Sequence, residues 1–590
     1  GEDGIPVEVY KHFYSIFKNP MLNCFNYSLS QGFMSNTQKQ GLISLLLKEG
    51  KDGQHKDPTI LDNWRPLTLL CCDTRILSKC LALRVRTVIT DIIHKDQTGF
   101  VKGRFIGDNI RRILDLIDYY EKEEKPGQIF VSDFKKAFDT IRWDFIIKAL
   151  EFFNFGPQFI SWVKTLYTNI TSSVLNNGYI SQPFTLHRGV RQGCPLSPYL
   201  FIIAVEMLAI RIRSNQNLTG LSTLGKFTKI SQYADDTNFP FDPNLKSFYA
   251  LLDDLENFSL ISGLSLNFEK CKVVRIGTLK NSNFRLPTHL PIQWVDGEVD
   301  ILGVHIPKDL ENIVDLNFEP RLTKIDRLLY PWKGKILSLL GKITIINSLI
   351  VPQITHLFQI LPNPDKSFFK RYERKIFSFI WNYLESIENG GLNLKNLYAF
   401  SLTIKCSWIP KLYFNEDMLT AWLLRMHLSV GGNLFPFLQL NSVEHFRLNP
   451  FLKDILTAWY KYQYKIPTDP AEIKQQLLFM NDNILIGGKP VLFKAFVNRG
   501  IVLINDILNA NGSLMSYVEF CAKYGPVCDN LHYIQLIAAI PRKWKSNLNG
   551  SPPLCVCRPE QYDSTWLNQT KINRDMYRFF LTSFRLIDVP

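Results

Sequence analysis

Apolar positions recur at helical spacing through Val7-Glu8-Val9-Tyr10-Lys11-His12-Phe13-Tyr14-Ser15-Ile16-Phe17, a pattern that predicts a helix ended by Pro20. The continuous apolar run 41–47 predicts a buried strand, and the Gly-, Lys- and Asp-rich stretch 48–58 a loop. From Asn63-Trp64-Arg65-Pro66-Leu67-Thr68 the chain is expected to pass through a turn at Asp73 into a helix over 75–85, apolar on one face and basic on the other. Two loops of similar make-up follow. Residues 94–104 carry two glycines and several basic side chains, suited to holding the backbone of a bound strand. Residues 188–198 carry two glycines, two arginines and two prolines and open a long apolar helix over 199–212, where free N–H groups and the helix dipole suit phosphates; a plain corner is the alternative. Further on, Lys366, Lys370, Arg371, Arg374 and Lys375 interleave with Phe368, Phe369, Tyr372 and Phe377 as an amphipathic helix, facing either a nucleic-acid backbone or solvent.

Against this pattern three carboxylates stand out. The apolar strand 129–132 ends at Asp133, and the chain then turns toward a helix through Trp143, Phe145, Ile146 and Leu150. A carboxylate at the end of a buried strand is either an N-cap or part of a site. The β-prone run Ile230-Ser231-Gln232-Tyr233-Ala234-Asp235-Asp236-Thr237-Asn238-Phe239 is broken by two adjacent acids, which predicts a hairpin with both at its tip. Their repulsion calls for protons, a basic partner or a divalent cation, and a solvated turn is the bland alternative.

Composition narrows the class. A chain of 590 residues with 46% hydrophobic side chains is expected to form about three or four folding units. The net charge of +14 points to polyanionic partners, and its spread along the chain favours nucleic acid over a membrane. Eleven cysteines without regular spacing fit reduced thiols, hence a soluble intracellular protein of nucleus and cytoplasm; Cys521, Cys528, His532, Cys555 and Cys557 lack zinc-finger spacing. No signal peptide is visible, and apolar runs such as Leu42 to Leu47 are too short to span a bilayer, so no membrane partner is expected. The start at Gly1 inside an ordered-looking segment marks a piece of a longer product.

Taken in order, the motifs resemble the polymerase region of a LINE-type, non-LTR retrotransposon reverse transcriptase. The opening Gly1-Glu2-Asp3-Gly4-Ile5-Pro6-Val7-Glu8-Val9-Tyr10 is similar to that family's first block, and Asn63-Trp64-Arg65-Pro66 and Gln97-Thr98-Gly99-Phe100 to its fingers motifs. Asp133 to Asp139 resembles motif A, Arg191 to Pro198 motif B, Tyr233 to Asp236 motif C, Ser262 to Lys270 motif D and Ile301-Leu302-Gly303-Val304 the primer-grip motif E. Trp332, Leu339-Leu340-Gly341-Lys342 and Pro352 are similar to the thumb, and Gly390-Gly391-Leu392 to Trp408 to the connecting segment. The family's upstream endonuclease and downstream Cys/His knuckle are not found in this sequence.

The resemblance implies an α+β right-hand polymerase with a mostly helical C-terminal region. Its expected parts are an N-terminal extension and fingers (1–128), a palm with part of the fingers (129–306), a helical thumb and connection (307–410) and a helical region of unassigned role (411–590). It implies RNA-directed DNA synthesis in target-primed reverse transcription, with two Mg²⁺ ions held by Asp133, Asp235 and Asp236 and the Phe134 carbonyl. Arg65, Phe138, Gln192, Gly193 and Lys270 would bind the nucleotide, Phe138 by excluding a 2′-hydroxyl and Lys270 by protonating pyrophosphate or pairing with a nearby acid. Arg104, Tyr233, Leu302 and Gly303 would meet primer or template. The implied partners are an RNA template, a DNA primer or target DNA, dNTPs and an RNA-binding partner protein of the element. Two alternatives remain: a degenerate RNA-binding relic, and a group II intron-type maturase.

Overall fold

The structure is a computed structural model that describes residues 3–48, 50, 56–223, 225–295, 298–333, 335, 337–380, 396–414, 418–420, 448–463, 468–474, 476, 478–479, 481, 483–490, 493–497, 499, 501, 503–548, 550 and 553. The chain divides into two compact units, residues 1–310 and 311–590.

The first unit begins with helices Val7–His12 and Tyr14–Gln31. The break falls at Phe13 rather than at Pro20, which sits inside the second helix. Proline deprives the Ile16 carbonyl of its helical donor, but Ile16 is exposed, so water can serve that oxygen. Strands β1 (Gln40–Leu47), β2 (Trp64–Leu69), β3 (Pro126–Ser132), β4 (Thr171–Asn176), β5 (Tyr179–Ile180) and β6 (Phe184–Thr185) follow in order. The expected strand at 41–47 is present but only Gly41 is buried. Asp73 lies in the first turn of a helix, Cys72–Ile92, that is longer at both ends than the periodicity predicts. Its apolar stripe, Leu77, Leu81, Val85 and Ile89, is buried as expected.

Beyond these come β7 (Leu221–Thr223), β8 (Lys226–Thr228), β9 (Ser231–Tyr233), β10 (Asp236–Phe241), β11 (Lys272–Gly277), β12 (Gln293–Val295), β13 (Val299–Ile301) and β14 (Val304–Ile306). One sheet has the order β2-β1-β4-β5 with β6 on β4, and β1 runs parallel to β4. The other has the order β12-β11-β3-β10-β9 and is antiparallel except for β11 with β12. Against this second sheet packs a core in which the helix Ser197–Ser214 is central, with Leu200, Phe201, Ile202, Ile203, Ala204 and Leu208 fully buried. Each such aromatic or branched side chain contributes about 1.5–3 kcal/mol of burial. A mostly antiparallel sheet backed by helices agrees with the α+β class expected from the motifs.

The second unit is mainly helical, from Ile313–Lys333 through Pro352–Ile360, Lys366–Phe379 and Leu397–Cys406 to Pro450–Gln463. Helix Lys366–Phe379 buries Phe368, Phe369, Tyr372, Ile376 and Phe379. Of its five cations, Arg371 pairs with Glu319 and Lys375 with Asp326, while Lys366, Lys370 and Arg374 form an exposed stripe at four-residue spacing. A further core gathers residues 473–548 around Phe496, Phe520, Tyr533 and Trp544. Residues 390–395, Cys555 and Cys557 lie outside the described residues. No single described helix is long and apolar enough to cross a membrane.

Candidate active site

Antiparallel pairing places Asp236 opposite Tyr233, so the expected hairpin is present with Ala234 and Asp235 as its two-residue turn, but only Asp235 sits at the tip and Asp236 is the first residue of β10. Ala234 adopts φ 55°, a left-handed conformation rare for a residue with a Cβ. On the other side of β10, Thr237 faces Ser132 of β3, so Asp133 and Asp236 are the next positions beyond that ladder. Asp133 caps no helix: the short helix Ala137–Thr140 starts after Lys136 without a side-chain cap. The turn after β3 is instead tied to residues 265–267. Asn267 N–H donates to the Asp133 carbonyl (2.7 Å) and Lys135 N–H to the Ser265 carbonyl (2.9 Å), which leaves the Phe134 carbonyl outside the bridge.

Asp133, Phe134 and Asp235 share the wall of a cavity of about 1050 Å³. Desolvation raises the Asp235 carboxyl above its usual range; the Asp133 charge adds to this, while Arg65 opposes it. Asp236 is pushed up to about 6 by desolvation and by the charges of Asp235 and Asp133. Among the described residues none of the three forms an ion pair, so their repulsion is uncompensated by protein cations in contact. Two carboxylates and a spare carbonyl at one wall are a hard-oxygen donor set that fits a divalent cation. As arranged, the three do not present one oxygen each within 4.8 Å of one another.

The cavity is also lined by cations. Arg65, on β2, is exposed into the cavity with Lys48 and Lys270. Burial lowers the Lys48 ammonium below its ordinary range, and the charges of Arg65, Lys56 and Lys270 act the same way. Lys270 lines the cavity and makes no ion pair among the described residues. At the mouth, Lys136 pairs with Asp62 at 2.9 Å.

Phe138 lines the same cavity, its ring stacked on Phe201 (centroids 4.3 Å, 16°) and edge-on to Phe100 (6.3 Å). Gln192 donates from Nε2 to Asp139 (3.2 Å), a half-buried carboxylate raised by desolvation and eased by that bond. Gln192 also gives its carbonyl to the Thr68 amide of β2 (2.7 Å). Gly193 passes so close to β2 that a Cβ would lie 2.5 Å from the Thr68 carbonyl. Tyr233 is half-buried and does not line the cavity; Leu302 and Gly303 form the left-handed turn (φ 50° and 78°) between β13 and β14.

Arg104, expected at primer or template, donates its guanidinium to the carbonyls of His94 (2.5 Å), Gln97 (2.7 Å) and Ile93 (2.6 Å), bracing the end of helix Cys72–Ile92. The loop 94–104 also holds β9: Thr98 N–H donates to Gln232 O (2.9 Å) and Gln232 N–H to Asp96 O (2.8 Å). Sequence reasoning also passed over Lys48, Asp139 and Gln97. The glycine beside Gln97 was the one available signal of a close approach.

Residues 49–306 match the family described as "Reverse transcriptase (RNA-dependent DNA polymerase)". The chain is 30% identical over 389 residues to the Transposon TX1 uncharacterized 149 kDa protein of Xenopus laevis, covering 65% of this chain and 28% of that protein. It is 27% identical to the Pol polyprotein of a type-1 R2 element of Popillia japonica (42% and 34% covered). It is 26% identical to the RNA-directed DNA polymerase of the mobile element jockey of Drosophila melanogaster (57% and 36% covered). The chain thus spans about a third or less of the length of these relatives. Telomerase of Candida tropicalis aligns at 14% identity over 66% of this chain and 68% of its own, with a TM-score of 0.33, too low to carry an argument. Residues 49–306 thus match a reverse transcriptase domain, and the relatives that the chain resembles include proteins of non-LTR retrotransposons.

Proposed function

We propose that this chain is an RNA-directed DNA polymerase that adds dNTPs to a primer 3′-hydroxyl on an RNA template, in target-primed reverse transcription. The observation that carries the reading is that Asp133 and Asp235, with no ion pair among the described residues, line one cavity with Arg65, Lys48 and Lys270. Two Mg²⁺ ions bound by Asp133, Asp235 and the Phe134 carbonyl, with Asp236 adding charge, would activate the primer hydroxyl and neutralise the triphosphate.

The protein's own groups do the positioning. Arg65 offers a planar fork to phosphate oxygens from the strand that Gly193 and Gln192 press against. Asp139 orients the Gln192 amide, and Lys270 at the rim can hand a proton to departing pyrophosphate. Phe138, fixed between Phe201 and Phe100, fills the space beneath an incoming sugar and discriminates against a 2′-hydroxyl. Tyr233 and the Leu302–Gly303 turn are the primer contacts in this reading, with an RNA-binding partner protein of the element supplying further contacts to the RNA.

Primer extension on an RNA template with dNTPs and Mg²⁺ tests this. Asp235→Asn should abolish synthesis while template–primer binding persists, and Phe138→Ala should admit ribonucleotides. Robust synthesis by Asp235→Asn sinks the metal assignment, and binding without extension by the unaltered chain favours an RNA-binding relic.

A further inference from the structure

We propose that Gln97 is the positioning residue of the catalytic turn: it holds Ala234 in its left-handed conformation and so fixes where the Asp235 carboxylate stands. The inference rests on the metal role assigned to Asp235 above.

Gln97 is fully buried, and two of the three hydrogen bonds of its side chain go to one residue, Ala234. Its Oε1 accepts from the Ala234 N–H and from the Gly99 N–H, both at 2.8 Å, and its Nε2 donates to the Ala234 carbonyl at 3.3 Å. One side-chain amide therefore takes both backbone groups of the residue that precedes Asp235. Among the described residues no other side chain bonds Ala234. The arrangement uses the amide in a single orientation, oxygen to N–H and nitrogen to carbonyl, which neither a carboxylate nor an apolar isostere reproduces.

The surroundings are shaped to let this clamp close. A Cβ on Gly99 would lie 2.5 Å from the Ala234 nitrogen, so glycine is required for the two backbones to meet. Asn109, also buried, donates to Gln232 O (2.6 Å) and Ser231 Oγ (3.1 Å) and accepts from Thr98, tying the strand before the turn to the same loop. A buried amide left without partners is costly, so the clamp resists opening. It works against two forces that would open it: the steric penalty of φ 55° at alanine and the repulsion among Asp133, Asp235 and Asp236. A core glutamine needed for packing alone would not be aimed at the one strained residue beside a metal carboxylate.

The test uses Gln97→Met in the full 590-residue chain, similar in length and without hydrogen-bonding groups. Manganese binding is followed by electron paramagnetic resonance without primer or nucleotide, and hydrogen exchange is followed in a peptide covering residues 231–241. Affinity for Mn²⁺ should fall about 10–100-fold, and the Ala234 amide should exchange faster. Template–primer binding should hold, and kcat should fall while KM for dNTP moves less than about threefold. Adding Ala234→Gly, which adopts positive φ without help, should restore part of the Mn²⁺ affinity. If Gln97→Met does not fold, Gln97→Asn, one methylene too short to reach, gives the same readout. Unchanged Mn²⁺ affinity, or no restoration by Ala234→Gly, overturns the proposal. Asp235→Asn run alongside separates the two levels: if it too binds Mn²⁺ normally, the metal reading has failed, whereas its loss with Gln97→Met unaffected removes only the role of Gln97.

Discussion

Loops 94–104 and 188–198 look alike in sequence, each basic and each carrying two glycines, yet the structure uses them in opposite ways. The first faces inward: Gln97, Thr98 and Gly99 are buried and bonded to β9 and to the catalytic turn, and Arg104 serves carbonyls of its own loop. The second lines the cavity with Gln192, Gly193 and Cys194, although its Arg191 is also buried and donates to the Lys39 carbonyl. Arg104 and Arg191 are therefore braces, while Arg188 is exposed. The free guanidinium at the cavity is Arg65, on a strand. A basic loop advertises contact with a backbone, and that backbone can be the protein's own, because a buried carbonyl needs a donor as much as a phosphate does.

The glycines offer the largest break in this comparison. Gly193→Ala would put a Cβ 2.5 Å from the Thr68 carbonyl at φ 114°, so strand β2 and Arg65 must move. We expect synthesis to fall about 100-fold, the penalty of misplacing a positioned group by about 1 Å. Gly103→Ala meets nothing within 4 Å at φ 82° and should lose only about 1 kcal/mol of stability with turnover intact. Equal effects of the two substitutions on extension rate would show that the loops are not divided as wall and strut.

The arginines separate the same roles more gently. Arg65→Ala should leave the thermal midpoint unchanged, because the side chain is exposed, and lower extension about 10–100-fold through loss of charge-assisted bonds of about 1.5–3 kcal/mol. Arg104→Ala should do the reverse: a loss of about 1–3 kcal/mol in urea unfolding, from several backbone carbonyls losing a donor, with extension per folded molecule changed less than about threefold. A kinetic defect in Arg104→Ala without a stability defect would return that residue to the nucleic-acid surface.

Much of this was legible in the sequence because it is local. The hairpin around Ala234-Asp235, the strand ending at Asp133 and the buried helix after Pro195 follow from alternation, turn residues and apolar runs. What was not legible depends on contacts distant in sequence. Gln97 meets Ala234 across 137 positions, Gln192 meets Asp139 across 53, and nothing in either segment names its partner. The charge of Arg104 shows only that a partner is needed, not that the partners are carbonyls of the protein. Pro20 misled because a proline ends a helix only where the freed carbonyl finds no other donor, and an exposed helix has water.

The smallest effect concerns what the strut holds in place. Asp235 and Asp236 have carboxyls raised above their unfolded values, Asp236 to about 6, so between about pH 4 and 6 the native state binds more protons than the unfolded chain. The sign follows: in metal-free protein these groups reduce stability as pH rises through that window, and the deficit persists above it. Asp96, lowered by His94 and the nearby arginines, works the other way, so the informative quantity is the wild-type stability minus that of Asp236→Asn across pH 4.5–7.5 in chelator. That difference should decline with rising pH and level off above about 6, and Mg²⁺ should shrink it by giving the carboxylates a counter-charge. A flat difference curve would mean that the turn relaxes its charges apart on its own, and that loop 94–104 has no repulsion to hold against.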